Sequence, residues 1–171
     1  MEKKFNVTGL CIPEKHLNDR NHNPVKVMRI IAVILFFIYL SYLIYLTFFS
    51  RHYGRGFVNV YRSINLVPFK TIVQYATANY NRNIIVTNLL GNILAFMPMG
   101  FLLPLIWKKL SGFLHVLVSA AAVSILIEAF QYISGAGSAD IDDVILNTVG
   151  GFLGYGLYYC LKKGADFRPN N

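Results

Sequence analysis

Four long apolar stretches run along the chain, and the polar residues gather near their ends. Ile30 to Ser50 carries no charge over 21 residues, and Asn83 to Trp107 carries none over 25. Leu110 to Ile127 is uncharged over 18 residues and continues past one Glu to Ala139; Val144 to Leu161 gives another 18. Crossing the hydrocarbon core takes about 20 mostly apolar residues at a rise of about 1.5 Å each. The pattern therefore predicts helices near 29–49, 84–106, 112–133 and 141–161, the third only if Glu128 lies within it. The fold class implied is an all-α integral membrane protein with four transmembrane helices. Its parts are an N-terminal tail over 1–28, a membrane domain over 29–161 with a loop at 50–83, and a C-terminal tail over 162–171.

Composition agrees with this division. Apolar residues make up 55% and charged residues 14%, against about a quarter charged in ordinary globular chains; so few charges cover a soluble surface poorly. Twenty-nine largely polar residues precede the first apolar run and no small-x-small site follows it, so that run is expected to be a retained anchor rather than a cleaved signal. Cys11 and Cys160 follow no metal or redox spacing. The net charge of +8 is not read as a nucleic-acid signal, because the basic residues lie in loops and tails beside apolar spans. There they act as topology signals and meet lipid headgroups.

The distribution of those cations predicts an orientation. Lys3, Lys4, Lys15, Arg20, Lys26 and Arg29 precede the first span, Lys108 and Lys109 sit between the second and third, and Lys162, Lys163 and Arg168 follow the fourth. With four spans these eleven share one side, against five in the first loop (Arg51, Arg55, Arg62, Lys70 and Arg82). The positive-inside rule then places both termini in the cytoplasm. Five cations with no acidic residue between 50 and 83 leave two readings of that outer loop. One is a solvated loop against anionic headgroups; the other is a site that attracts a phosphate-bearing ligand. Pro68 is placed to open a short helix at its first position, with Phe69, Ile72, Val73 and Ala76 on its apolar face. Such a helix would lie flat in the interface or pack as ordinary loop.

Within the spans the polar residues form a pattern of their own. Asn88 and Asn92 are four apart on one face of the second span, beside a small-residue stripe at Gly91 and Ala95. Pro98, Gly100 and Pro104 are expected to bend and then end that helix. Ser124, Glu128 and Gln131 share a face of the third span. A carboxylate in hydrocarbon is costly, so Glu128 is expected to face the bundle, paired or protonated. After the turn Ser134 to Ala139 comes Asp140-Ile141-Asp142-Asp143, with Asp140 a natural N-cap for the fourth helix. Asp143 and Asn147 lie four apart, and Gly150, Gly151 and Gly154 carry that face inward, the Gly150/Gly154 pair favouring close contact with another helix. Because the spans alternate in direction, Asn88, Asn92, Glu128, Gln131, Asp143 and Asn147 are all expected at one depth near the outer surface. For the amides, interhelical hydrogen-bond glue and a binding role are equally good readings; the ionisable group is the stronger pointer to function. The Asp-x-Asp-Asp run has oxygen ligands suited to Mg²⁺ or Ca²⁺, yet helix capping explains two of the three, and neither a metal nor any other cofactor is expected.

The same residues resemble the VanZ-like family. The resemblance is carried by Asn88-Leu-Leu-Gly-Asn92-Ile-Leu-Ala-Phe96-Met-Pro98-Met-Gly100, by Glu128-Ala-Phe-Gln131, and by Asp140-Ile-Asp142-Asp143 continuing through Asn147 to Gly154. Arg62-Ser-Ile-Asn65-Leu-Val-Pro68-Phe69 is similar to the family's outer-loop motif and adds Arg62 and Asn65 to the candidates. The likeness spans roughly residues 30 to 161. Many members carry an Arg in the turn before the acidic run, where this chain has Gly135-Ala136-Gly137-Ser138. The resemblance implies a multi-pass protein of the bacterial cell membrane with a role in low-level resistance to teicoplanin and related lipoglycopeptides. It carries over no catalytic residues.

Three functions compete at this level. The first is an envelope factor whose binding residues are Asn65, Asn88, Asn92, Glu128, Gln131, Asp140, Asp142, Asp143, Asn147 and Arg62, engaging a lipid-linked wall precursor, a lipoglycopeptide or an anionic lipid headgroup. The second is a membrane-embedded hydrolase or transferase with Glu128 as base and an aspartate as partner; no His, Ser or Cys joins them as a nucleophile, and His115 is expected to be packed near the inner face. The third is a transporter or proton path, ranked last because polarity stops halfway across. A second copy of the chain, docked through Gly150 and Gly154, would be needed to complete such a path.

Overall fold

The computed structural model of the chain describes residues 24–48, 63–77 and 82–166. In chain order its elements are α1 (Pro24–Phe48), β1 (Ile64–Asn65), α2 (Lys70–Thr77), α3 (Arg82–Ile106), a 3₁₀ turn at Lys108–Leu110, α4 (Phe113–Ser134), β2 (Ala139–Asp140) and α5 (Ile141–Asp166). Four of the helices are long and apolar enough to cross a membrane, over Val25–Phe48, Ile85–Ile106, Phe113–Ser134 and Ile141–Gly164. They match the four expected spans to within a few residues.

Burial in this chain is inverted relative to a soluble protein. Phe37, Phe130 and Ile133 are 64%, 60% and 69% exposed, while Asp142 and Ser124 are fully buried and Gln131 is 1% exposed. An apolar belt of this extent is far larger than water tolerates, and polar groups are held inside, where among the described residues the Tyr39 hydroxyl is the buried side-chain group without a hydrogen-bond partner. Hydrocarbon is the solvent that this surface fits.

The bundle is organised around α3 and α5, with α4 packed on α5 and α1 on α3. Glycine makes the central contact. A Cβ added at Gly150 would collide with the Ile93 carbonyl, and one at Gly154 with the Met97 carbonyl. Only a residue without a side chain allows two helix backbones to approach so closely. The face expected to offer contact to a second copy is therefore spent on α3 of the same chain. Near the end where α1 begins and α5 finishes, Ala32 and Phe36 of α1 pack with Leu102, Leu103 and Ile106 of α3 and Val116 of α4 in a continuous apolar core. Phe36 meets Trp107 edge-on at 5.6 Å, and Phe113 meets Phe152 at 5.7 Å.

Four sequence expectations are corrected. Helix α3 runs through Pro98 and Pro104 to Ile106 rather than ending at the second proline, as neighbouring helices allow. Helix α2 begins at Lys70, two residues after Pro68, because Phe69 adopts a left-handed backbone (φ 65°) that breaks the helical path. His115 is exposed on α4 rather than packed. The fold is also not purely helical: β1 and β2 form a two-residue parallel ladder, pairing Ile64 with Ala139 and Asn65 with Asp140.

Candidate functional site in the polar end of the bundle

The turn between α4 and α5 sets the geometry. Gly135, in the left-handed region at φ 72°, closes α4, and the backbone N–H of Ala136 returns to the Gln131 carbonyl at 3.0 Å. Glycine is the residue that takes this C-terminal conformation without steric cost. The chain then reverses into β2, where the Asp140 N–H donates to Glu128 Oε2 at 3.0 Å. Asp140 caps α5 as expected, its Oδ1 accepting the Asp142 N–H at 2.9 Å.

Three carboxylates, read from sequence as one cluster, have separate tasks. Asp142 is fully buried and accepts the backbone N–H groups of Phe69 (2.5 Å), Thr71 (2.7 Å) and Ile72 (3.2 Å). Both of its oxygens are engaged in holding the start of α2, which leaves the acid–base role weighed for it without support. Asp140 accepts Asn65 Nδ2 at 2.9 Å and the Thr71 hydroxyl at 2.5 Å, which pins the same segment from the other side. Asp143 accepts Asn92 Nδ2 at 2.5 Å, linking α5 to α3. Hydrogen bonds to an ionised acceptor are the stronger class, about 1.5–3 kcal/mol each.

A cavity of about 210 Å³ opens between α2, α3, the turn and α5. Its polar lining comprises Thr71, Tyr75, Asn88, Asn92, Ser138 and the three aspartates. Asn88 donates to the Tyr75 hydroxyl at 3.0 Å, so the amide and the phenol form one wall. No lysine or arginine lines this cavity among the described residues.

The polar residues expected together gather around two neighbouring spaces that share Asn92, with Gln131 apart. Asn88, Asn92, Asp140, Asp142 and Asp143 line the cavity. Glu128 and Asn147 lie against a smaller internal space of about 30 Å³, which Asn92 and Thr47 share; such a space suits about one water. Glu128 is 6% exposed, facing the bundle as expected, and Asn147 donates to Ser124 Oγ at 2.8 Å. Gln131 points elsewhere, donating to the Thr47 carbonyl at 3.2 Å and so tying α4 to α1. Asn65 lies outside the cavity, bonded to Thr71 and Asp140. Arg62 and the loop cations at 51 and 55 lie outside the described residues. Sequence reasoning missed Thr71, Tyr75 and Ser138. Thr71 and Tyr75 are four apart on α2, a signal legible only once that segment is read as a docked helix. No group of three His, Cys, Asp or Glu placed to hold an ion occurs among the described residues.

Comparison with known proteins gives the same likeness that the motifs carry. The family model described as VanZ/LLP1 matches residues 36–162. Protein VanZ of Enterococcus faecium is 39% identical over 102 residues, covering 60% of this chain and 56% of that protein. The chain therefore aligns with little more than half the length of this relative. No solved structure matches the chain.

Proposed function

The chain belongs to the VanZ/LLP1 family, and from that membership and the lining of the polar cavity we propose that it engages the headgroup of a lipid-linked wall precursor, or the matching face of a lipoglycopeptide. It does so at the extracytoplasmic surface of a bacterial cell membrane, and thereby contributes low-level tolerance to teicoplanin-type antibiotics. Both termini are cytoplasmic in this reading. The observation that carries it is the donor and acceptor set of the cavity: two carboxamides, three hydroxyls and three carboxylates, of which Asp142 is engaged by backbone N–H groups, within about 210 Å³. Carboxamides and hydroxyls pair with sugar hydroxyls and peptide amides, and a carboxylate adds preference for an amine. A bare anionic headgroup is the less suitable occupant, because three aspartates line the space.

The test is tolerance to teicoplanin in a strain lacking the gene and complemented with point variants. Asn88→Ala and Asp143→Asn remove lining groups and leave the Asp142 anchor in place, so they are expected to lower tolerance at unchanged protein level. Full tolerance in both variants overturns the proposal.

A further inference from the structure

The opposite end of the bundle holds a second cavity of about 230 Å³, lined by Val25, Lys26, Met28, Arg29, Leu105, Ile106 and Lys108. We propose that it is a binding site for the phosphate of an anionic phospholipid, in the leaflet at the end where α1 begins and α5 finishes.

Charge and shape both point to this ligand. Among the described residues, three cations line the cavity and no acidic residue does. They come from segments about 80 residues apart in sequence and are brought together by packing. Lys26 and Arg29, three apart, share a face of the first turns of α1. Lys108 is placed by the 3₁₀ turn after α3, where the Leu110 N–H donates to the Trp107 carbonyl at 2.9 Å and Ser111 Oγ to the Lys108 carbonyl at 2.7 Å. The edge contact of Phe36 with Trp107 at 5.6 Å fixes the turn against α1. Trp107 itself is 43% exposed, as befits an aromatic side chain at the membrane–water boundary.

The walls decide between a soluble anion and a lipid. Val25 and Met28 are more than half exposed, and Leu105 and Ile106 line the same space. A free anion would leave these apolar groups facing water. A phospholipid presents its phosphate to the cations and its glycerol and upper acyl chains to the apolar walls, so both halves of the lining are satisfied. Basic pockets between transmembrane helices take anionic headgroups on this principle.

The experiment is native mass spectrometry of the purified full-length protein in detergent, with added phosphatidylglycerol or phosphatidylcholine. The wild type is expected to retain phosphatidylglycerol about tenfold or more in excess of phosphatidylcholine, with the excess shrinking as salt is raised. In Lys26→Gln/Arg29→Gln/Lys108→Gln the two lipids should be retained alike. Lys108→Gln alone, at an exposed turn position, should lose part of the preference and keeps the test valid if the triple variant folds poorly. Lys162→Gln/Lys163→Gln, at the same end but outside the cavity, should keep the wild-type preference. An unchanged preference in both cavity variants overturns the site. An equal loss in the Lys162/Lys163 control assigns the effect to diffuse surface charge and also overturns it. Displacement of the lipid by millimolar inorganic phosphate replaces the lipid with a soluble anion.

Discussion

Asp142 is the residue on which the polar end depends. A fully buried carboxylate is tolerable only with its oxygens satisfied, and here the partners are three backbone N–H groups of a segment about 70 residues earlier. This grip coincides with the left-handed backbone of Phe69 (φ 65°), a conformation that a bulky residue adopts only when its surroundings enforce it. Asp142→Asn is nearly isosteric but turns one oxygen into a donor that faces another donor. It should cost about 2–3 kcal/mol for the buried groups left unsatisfied and should free the start of α2. Lys70 is exposed at that point, so trypsin should cleave after it severalfold faster in the variant; cleavage at the wild-type rate contradicts the anchor. The sequence marked Asp142 as one of three nearby carboxylates, yet gave no sign of which would be exhausted by structure. That depends on where the loop docks, and docking leaves no periodic trace in the chain.

At the scale of the elements, the four spans were legible because each is set by its own composition and length. Partners were not. The Gly150/Gly154 spacing announces close packing, and in principle α3 and a second copy of the chain satisfy it equally. The structure gives it to α3, where the Ile93 and Met97 carbonyls occupy the space that side chains at these positions would need. Gly150→Val or Gly154→Val must therefore push two backbones apart, and overpacking of this kind costs at least about 1–3 kcal/mol. Gly156, with nothing within 4 Å of an added Cβ, should accept Ala with no loss. Thermal unfolding in detergent separates these outcomes: both valine variants should fall well below the wild type while Gly156→Ala stays level. Similar behaviour of all three would remove α3 as the partner of this face. The start of α2 was misplaced for a related reason. Proline at the first helical position is a local rule, and here the left-handed turn held by Asp142 overrides it.

At the scale of the whole molecule, the two ends of the bundle are chemically opposite. One holds carboxylates, amides and hydroxyls around a cavity; the other gathers Lys26, Arg29 and Lys108. Antiparallel threading makes this segregation readable from sequence, since alternating spans return to the same side. What sequence could not resolve was direction: Glu128 and Asn147 line a second, smaller space and Gln131 turns to α1, because side-chain direction within a packed layer follows from neighbours rather than spacing. The orientation of the molecule then decides whether the polar cavity can meet wall precursors at all. Positive charge favours the cytoplasmic side, which would set Lys162 inside and Ser138, exposed at the rim of the polar cavity, outside. In a background with Cys11 and Cys160 replaced by Ser, Ser138→Cys should react with an impermeant maleimide on intact cells, and Lys162→Cys only after lysis. The reverse pattern would turn the cavity toward the cytoplasm, out of reach of an antibiotic that acts on the outer leaflet. The envelope role proposed from the cavity would then fail even if every hydrogen bond within it were correct.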